Sequence, residues 1–226
     1  MAVPGLMADA AAVRGVRAVV LRSASPKVFA AGADLEEYRA NAGNANWGVL
    51  SGARVGAALA AVRHCPVPTI AAISGACVGG GLGMAIACDF RVASDTSFFA
   101  LTPARLGLVY PYVDLVELVD LVGSASARCI LLTGERVDVE WAVARGLVTE
   151  AVGVDQLDAA VTRLVDAICA VSDFSVRSMK RMIALALGGQ RTDSVETDGY
   201  TREALAGADH VEGTAAFLER RPARFT

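Results

Sequence analysis

Short β-branched runs dominate the first half of this chain, and longer stretches with apolar residues at helical spacing dominate the second. Val16 to Arg22 (VRAVVLR) predicts a strand, because branched side chains suit a pleated, half-buried surface. A small-residue loop, SASPKVFAAGAD, follows and leads into a helix opening near Leu35. From Trp47 to Arg63 the positions Leu50, Val55, Leu59 and Val62 share a helical face, and Pro66 and Pro68 end it. TIAAIS then predicts a buried strand, the glycines a turn, and LGMAIAC a buried helix. FRVAS and SFFAL predict two further strands joined by a polar turn at Asp95. Beyond TPARLGLVYPY the spacing is helical at Asp114 to Val122, Ala125 to Leu132, Val139 to Arg145, Val154 to Val171, Ser175 to Leu187 and on to Arg220. The pattern is α/β, with strands early and helices late.

The run from Cys65 to Cys88 contains no charged residue, and Gly75, Gly79 and Gly83 recur at the spacing of paired membrane helices. Two prolines at its start, three consecutive glycines inside it and the absence of a basic flank favour a water-soluble strand, turn and helix instead. A dinucleotide fingerprint fails on spacing, because Gly79 and Gly81 are followed by Met84, and Gly81 and Gly83 by Ile86. No Gly-Lys-Ser/Thr follows, which excludes a P-loop. VGGG therefore marks a buried strand turning into a buried helix. Glycine there either packs helix closely on sheet or brings bare backbone to a ligand, beside helix N–H groups that lack partners.

Composition narrows the function classes. The 226 residues are 54% apolar, enough for one sizeable core, and no linker divides residues 1–226 into two domains. A net charge of -3, with basic residues scattered except at Arg220, Arg221 and Arg224, argues against nucleic acid as a partner. The five cysteines are dispersed and without a CxxC pair, which suits small buried apolar residues in a reducing compartment. His64 and His210 have no metal-ligand spacing. The segment MAVPGLMADAAAVRGVR has no basic region followed by an apolar core, so a cytoplasmic location is expected.

A second element resembles the VGGG turn. FAAGADLEEY, Phe29 to Tyr38, also ends a strand region in small residues and opens a helix with Asp34 in its first turn. Backbone N–H groups from two such loops can converge on one oxygen.

These segments, taken with VRAVVL, PTIAAISGACVGGGLGMAIACDFRVAS, LLTGERVDVEWAVARGLV and EGTAAFLERRPARF in that order, resemble the enoyl-CoA hydratase/isomerase family, the crotonases. The resemblance runs from Val16 to the C-terminus. It implies a spiral of strand-strand-helix turns from near residue 16 to near residue 170. It also implies a C-terminal helical region, to residue 226, that serves trimer formation and commonly a hexamer. By the same resemblance, the N–H groups of Ala33 and Gly80 form an oxyanion hole for an acyl-CoA thioester carbonyl. Ala31, Asp34, Leu35 and Gly79 lie around the bound thioester. CoA is then a carrier of substrate, and no bound cofactor or membrane is implied.

The residues also depart from the family. Its two hydratase glutamates fall at Gly83 and Pro103, and the acid of some isomerases falls at Pro111; none of these can transfer a proton. Asp114 is the nearest carboxylate. It reads either as a relocated proton carrier or, with Glu117, as the N-cap and N3 pair of the following helix. Tyr110 and Tyr112 read as packing residues whose hydroxyls find partners, and Arg105 as a turn residue within reach of a CoA phosphate. The expected function is acyl-CoA binding with stabilisation of a thioester enolate. The alternatives are an inactive acyl-CoA-binding or assembly subunit, and an isomerase or dehydratase using Asp114. Family members usually carry a further strand pair and helix before the equivalent of Val16, so an exposed sheet edge is expected at the front.

Overall fold

Strands come in pairs, and the two members of each pair enter different sheets. In the computed structural model, which describes residues 3–225, β1 (Val19–Arg22), β3 (Thr69–Ile73), β5 (Phe90–Ser94) and β8 (Glu150–Val152) form one parallel sheet in that order. The second sheet has the order β2 (Val28–Ala30), β4 (Ala76–Val78), β6 (Phe98–Ala100), β7 (Val137–Asp138). It is parallel except at the β6–β7 pair. FRVAS and SFFAL, read as two strands joined by a turn, pair with the strands of the preceding turn and not with each other.

Parallel pairing requires crossovers, and helices supply them. The first turn closes through α2 (Leu35–Ala40) and α3 (Ala45–Arg63), the second through α4 (Gly80–Ile86). After β6 comes α5 (Tyr112–Thr133), which bends at Gly123 (φ 75°, ψ 159°) between the two helical stretches read from the sequence. Helix α6 (Val139–Ala144) lies between β7 and β8, and α7 (Leu157–Cys169) covers the outer face of the first sheet. Thus β3 is buried on both faces. Ala71 and Ile73 face the main core, and Ile70 and Ala72 pack with Leu157, Ala160 and Val161. Helices α8 (Asp173–Leu187), α9 (Val195–Ala206) and α10 (Ala208–Glu219) complete the chain.

The apolar run is β3, β4 and α4, and among the described residues no helix is long and apolar enough to cross a membrane. Asp89, the charge that ends it, accepts from Thr69 N (2.6 Å), Thr69 Oγ1 (2.9 Å) and Lys180 Nζ (2.5 Å), tying α8 to the sheet. Gly75 makes the turn between β3 and β4 with φ +70°. A Cβ there would stand 1.9 Å from the Lys27 carbonyl oxygen, which accepts from Ala76 N at 3.0 Å.

Three strands were not anticipated. β4 lies in a segment read as a turn, and β7 and β8 in the helical half; each has three residues or fewer, as does β2, where FAAGADLEEY was read as ending a strand region. At that length alternation carries no signal, and the pairing partner decides. The front of the chain likewise holds a helix, α1 (Val3–Ala12), whose Met7 is buried in the main core. β1 and β2 are edge strands, as expected.

Candidate active site

The two small-residue loops meet. Gly32, at φ +88°, lies so close to the start of α4 that a Cβ on it would stand 2.8 Å from Gly80 N and 3.0 Å from Val78 O. On the other side, Gly81 packs on Ala30, where a Cβ would come within 2.4 Å of the Ala30 carbonyl oxygen. Bare backbone at both positions is what lets the 30–33 segment rest on the 79–81 turn.

Each loop is fixed from its own side. Asp34 caps α2, its Oδ1 accepting from Glu36 N (2.9 Å) and Glu37 N (3.4 Å), and Leu35 begins that helix exposed. Gly79, at φ 54° and ψ -125°, donates to Ala100 O (2.9 Å) and accepts from Gly83 N (3.0 Å). The N–H groups of Ala33 and Gly80 have no acceptor among the described residues, and both residues are solvent-exposed along with Ala31. Two free backbone donors therefore stand on adjoining loops at a helix start.

The far end of α4 is held from inside. Arg91, 5% exposed, donates from Nη1 to the carbonyls of Ala85 (3.2 Å), Ile86 (3.4 Å) and Cys88 (2.6 Å), and from Nε to Leu147 O (2.8 Å). Burial lowers its pKa from the ordinary guanidinium value. Arg91→Met should cost about 3 kcal/mol, read as a lower urea midpoint, because buried carbonyls lose a charged donor.

The positions read from the sequence as those of the family glutamates hold other contacts. Gly83 is buried one turn along α4, and a Cβ on it would stand 3.3 Å from Leu59 Cδ1 and 3.5 Å from the Tyr110 hydroxyl. Pro103 opens a short 3-10 turn, Ala104–Leu106. Asp114 is not the N-cap of α5: Pro111 holds that position, and Asp114 sits in the first turn. It is 6% exposed and paired with Arg63 Nη2 at 3.0 Å; Glu117 engages the same guanidinium. The capping reading thus fails, and its carboxylate is occupied by an ion pair.

The tyrosines differ from their expected roles. Tyr112 is 78% exposed, while the Tyr110 hydroxyl is buried with no hydrogen-bond partner among the described residues. Burial, with the Asp114 charge beside it, raises the Tyr110 pKa above the ordinary phenol value, against a smaller opposing effect of Arg63. Arg105 lies against Gly134 at the end of α5, within 3.1 Å of where a Cβ there would stand. Sequence reasoning missed Arg63 and Leu59 as neighbours of this region. Both lie on α3, more than forty residues from Tyr110 in the chain, and nothing local marks them.

Paired strands spiralling through two largely parallel sheets, with two glycine-bearing loops meeting beside free N–H groups, define a crotonase-like architecture. The enoyl-CoA hydratase/isomerase family model matches residues 7–226, and the chain belongs to that family. It is 32% identical over 217 residues to the mitochondrial methylglutaconyl-CoA hydratase of Rattus norvegicus, covering 93% of this chain and 68% of that protein. Among solved structures, it resembles a "Putative enoyl-CoA hydratase/isomerase family protein" from Hyphomonas neptunium with a TM-score of 0.94 at 38% identity, covering 100% of this chain and 86% of that one. An enoyl-CoA hydratase/carnithine racemase from Magnetospirillum magneticum follows at 0.91 and 33%, covering 99% and 84%.

Proposed function

We propose that the chain binds an acyl-CoA thioester with its carbonyl oxygen between the N–H groups of Ala33 and Gly80 and stabilises the enolate formed from it. The observation that carries this reading is the contact of the two loops, which leaves two backbone donors without acceptors side by side. A thioester oxygen gains charge as the α-carbon loses its proton, and preorganised donors act on that charge without reorganising. Ala31, Asp34, Leu35 and Gly79 frame the same opening. CoA enters as the carrier of the substrate.

Ordinary hydration is not part of the proposal. Glycine at 83 and proline at 103 carry no proton, and each general acid or base typically contributes about 10²- to 10⁴-fold. Asp114 serves poorly as their substitute while Arg63 holds it. That ion pair favours a second reading, an acyl-CoA-binding subunit without turnover. In either case we place the protein in the cytoplasm and assign the exposed apolar residues of α9 and α10, among them Leu205 (62% exposed), Val211 (68%) and Phe217 (83%), to contacts with further copies in a trimer or hexamer.

One experiment separates the readings. The protein is incubated in heavy water with saturated and enoyl-CoA thioesters, and deuterium at the α-carbon is followed by mass spectrometry. Exchange above the protein-free rate is expected. Saturated binding without exchange would replace the enolate reading with the binding subunit, and no binding would overturn both.

A further inference from the structure

Helix α4 carries a free donor at one end and its anchor at the other. Among Gly80, Gly81, Leu82 and Gly83 only Leu82 has a side chain, and no side chain caps the helix start. What holds that start is backbone lying on backbone, Gly32 against Gly80 and Gly81 against Ala30. Such contacts resist closer approach but not sliding along the helix axis.

The anchor is Arg91. It stands in β5, between β3 and β8 in the first sheet, opposite Ala71. Its backbone is fixed there, donating to Thr149 Oγ1 (3.2 Å) and accepting from Thr149 N (2.8 Å). Its guanidinium spans the carbonyls of Ala85, Ile86 and Cys88 on one side and that of Leu147 on the other. A guanidinium is planar with donors in fixed directions, so bonds on two sides define where the end of α4 stands relative to the sheet. The bonds from Ala87 N to Gly83 O and from Gly83 N to Gly79 O, both 3.0 Å, carry that position to the first turn. Gly80 lies five residues from Ala85, about 7.5 Å along the axis.

We propose, building on the acyl-CoA reading above, that Arg91 is a positioning residue for enolate stabilisation: it sets the axial place of α4, and thereby where the Gly80 N–H lies relative to that of Ala33. Both donors must meet one oxygen, and a displacement of about 1 Å in a site of this kind costs up to about 10²-fold in rate. The ground-state thioester oxygen carries less charge than the enolate, so misplacement weakens turnover more than binding.

The test compares the wild type with Arg91→Met and Arg91→Lys. Leu157→Ala serves as the control for lost stability alone, since it opens a cavity on the outer face of the first sheet. Glycine is labelled with a heavy nitrogen isotope, and the Gly80 amide signal is identified in the spectrum as the one that Gly80→Pro lacks. In Arg91→Met that signal should shift, and α-proton exchange per folded molecule should fall about tenfold or more. Butyryl-CoA affinity, by calorimetry, should stay within about threefold of wild type. Arg91→Lys, which keeps the charge with fewer directed donors, should show the same changes at smaller size, and it carries the test if Arg91→Met does not fold. Leu157→Ala should melt at a lower temperature with the Gly80 signal and the exchange rate of the wild type. An unmoved Gly80 signal in the folded Arg91 variants, or exchange equal to that of Leu157→Ala, would reduce Arg91 to a purely structural residue and overturn the proposal. No exchange in the wild type would overturn the enolate reading, and the Gly80 signal would still decide whether Arg91 places that donor.

Discussion

Gly80→Pro should slow α-proton exchange by about 10²- to 10³-fold, the loss typical of one oxyanion donor. It should also weaken acyl-CoA binding by tenfold or more. The substitution is selective because Gly80 is the first residue of α4, where proline is tolerated and its missing N–H breaks no helical bond. The added Cβ would meet only Gly32 Cα, at an ordinary 3.7 Å. What changes is the donor itself, replaced by a ring carbon where the proposal places the thioester oxygen. Folding is checked by circular dichroism and binding by calorimetry; acyl-CoA affinity equal to wild type in a folded variant would remove Gly80 from the site.

Gly75→Ala should destabilise the protein by roughly 4 kcal/mol, from about 1–2 kcal/mol for a left-handed non-glycine residue and about 1–3 for overpacking. The Cβ would stand 1.9 Å from Lys27 O, a backbone atom that cannot rotate away. Relief requires separating the 26–28 segment from β4, and that loosens the bond from Ala76 N to Lys27 O. The second sheet would lose β2 first, because among the described residues β4 is its only neighbour. Urea denaturation reads the loss, and a shift under 1 kcal/mol would show that the turn can rearrange.

The conformation of the two small-residue loops was legible in the sequence, and the side chains that surround them were not. Glycine at 32 and 79 and aspartate at 34 act within a few residues of themselves, through positive φ and capping, so short segments announce them. Arg63 meets Asp114 across 51 positions, and no local pattern encodes that distance. The misreading of Asp114 as an N-cap has a related cause: the Asp-x-x-Glu spacing is real, but Pro111 already ends the extended backbone three residues earlier. β3 was legible as a buried apolar run, and β5 as a short run ended by the polar turn at Asp95. β2 and β4, at three residues each, are strands only because a parallel partner lies alongside.

The Arg91 guanidinium at the end of α4 has an electrical consequence. A helix carries partial positive charge where its N–H groups are free and partial negative charge where its carbonyls are. Here the negative pole is cancelled inside the protein by a formal cation bound to three carbonyl oxygens, so the positive pole at Gly80 is left unopposed. Neither a backbone amide nor a guanidinium changes charge in the range where proteins fold. The start of α4 is thus an electrophilic pole that acidity cannot switch off, and any pH dependence of chemistry at that end of the helix must originate in another group.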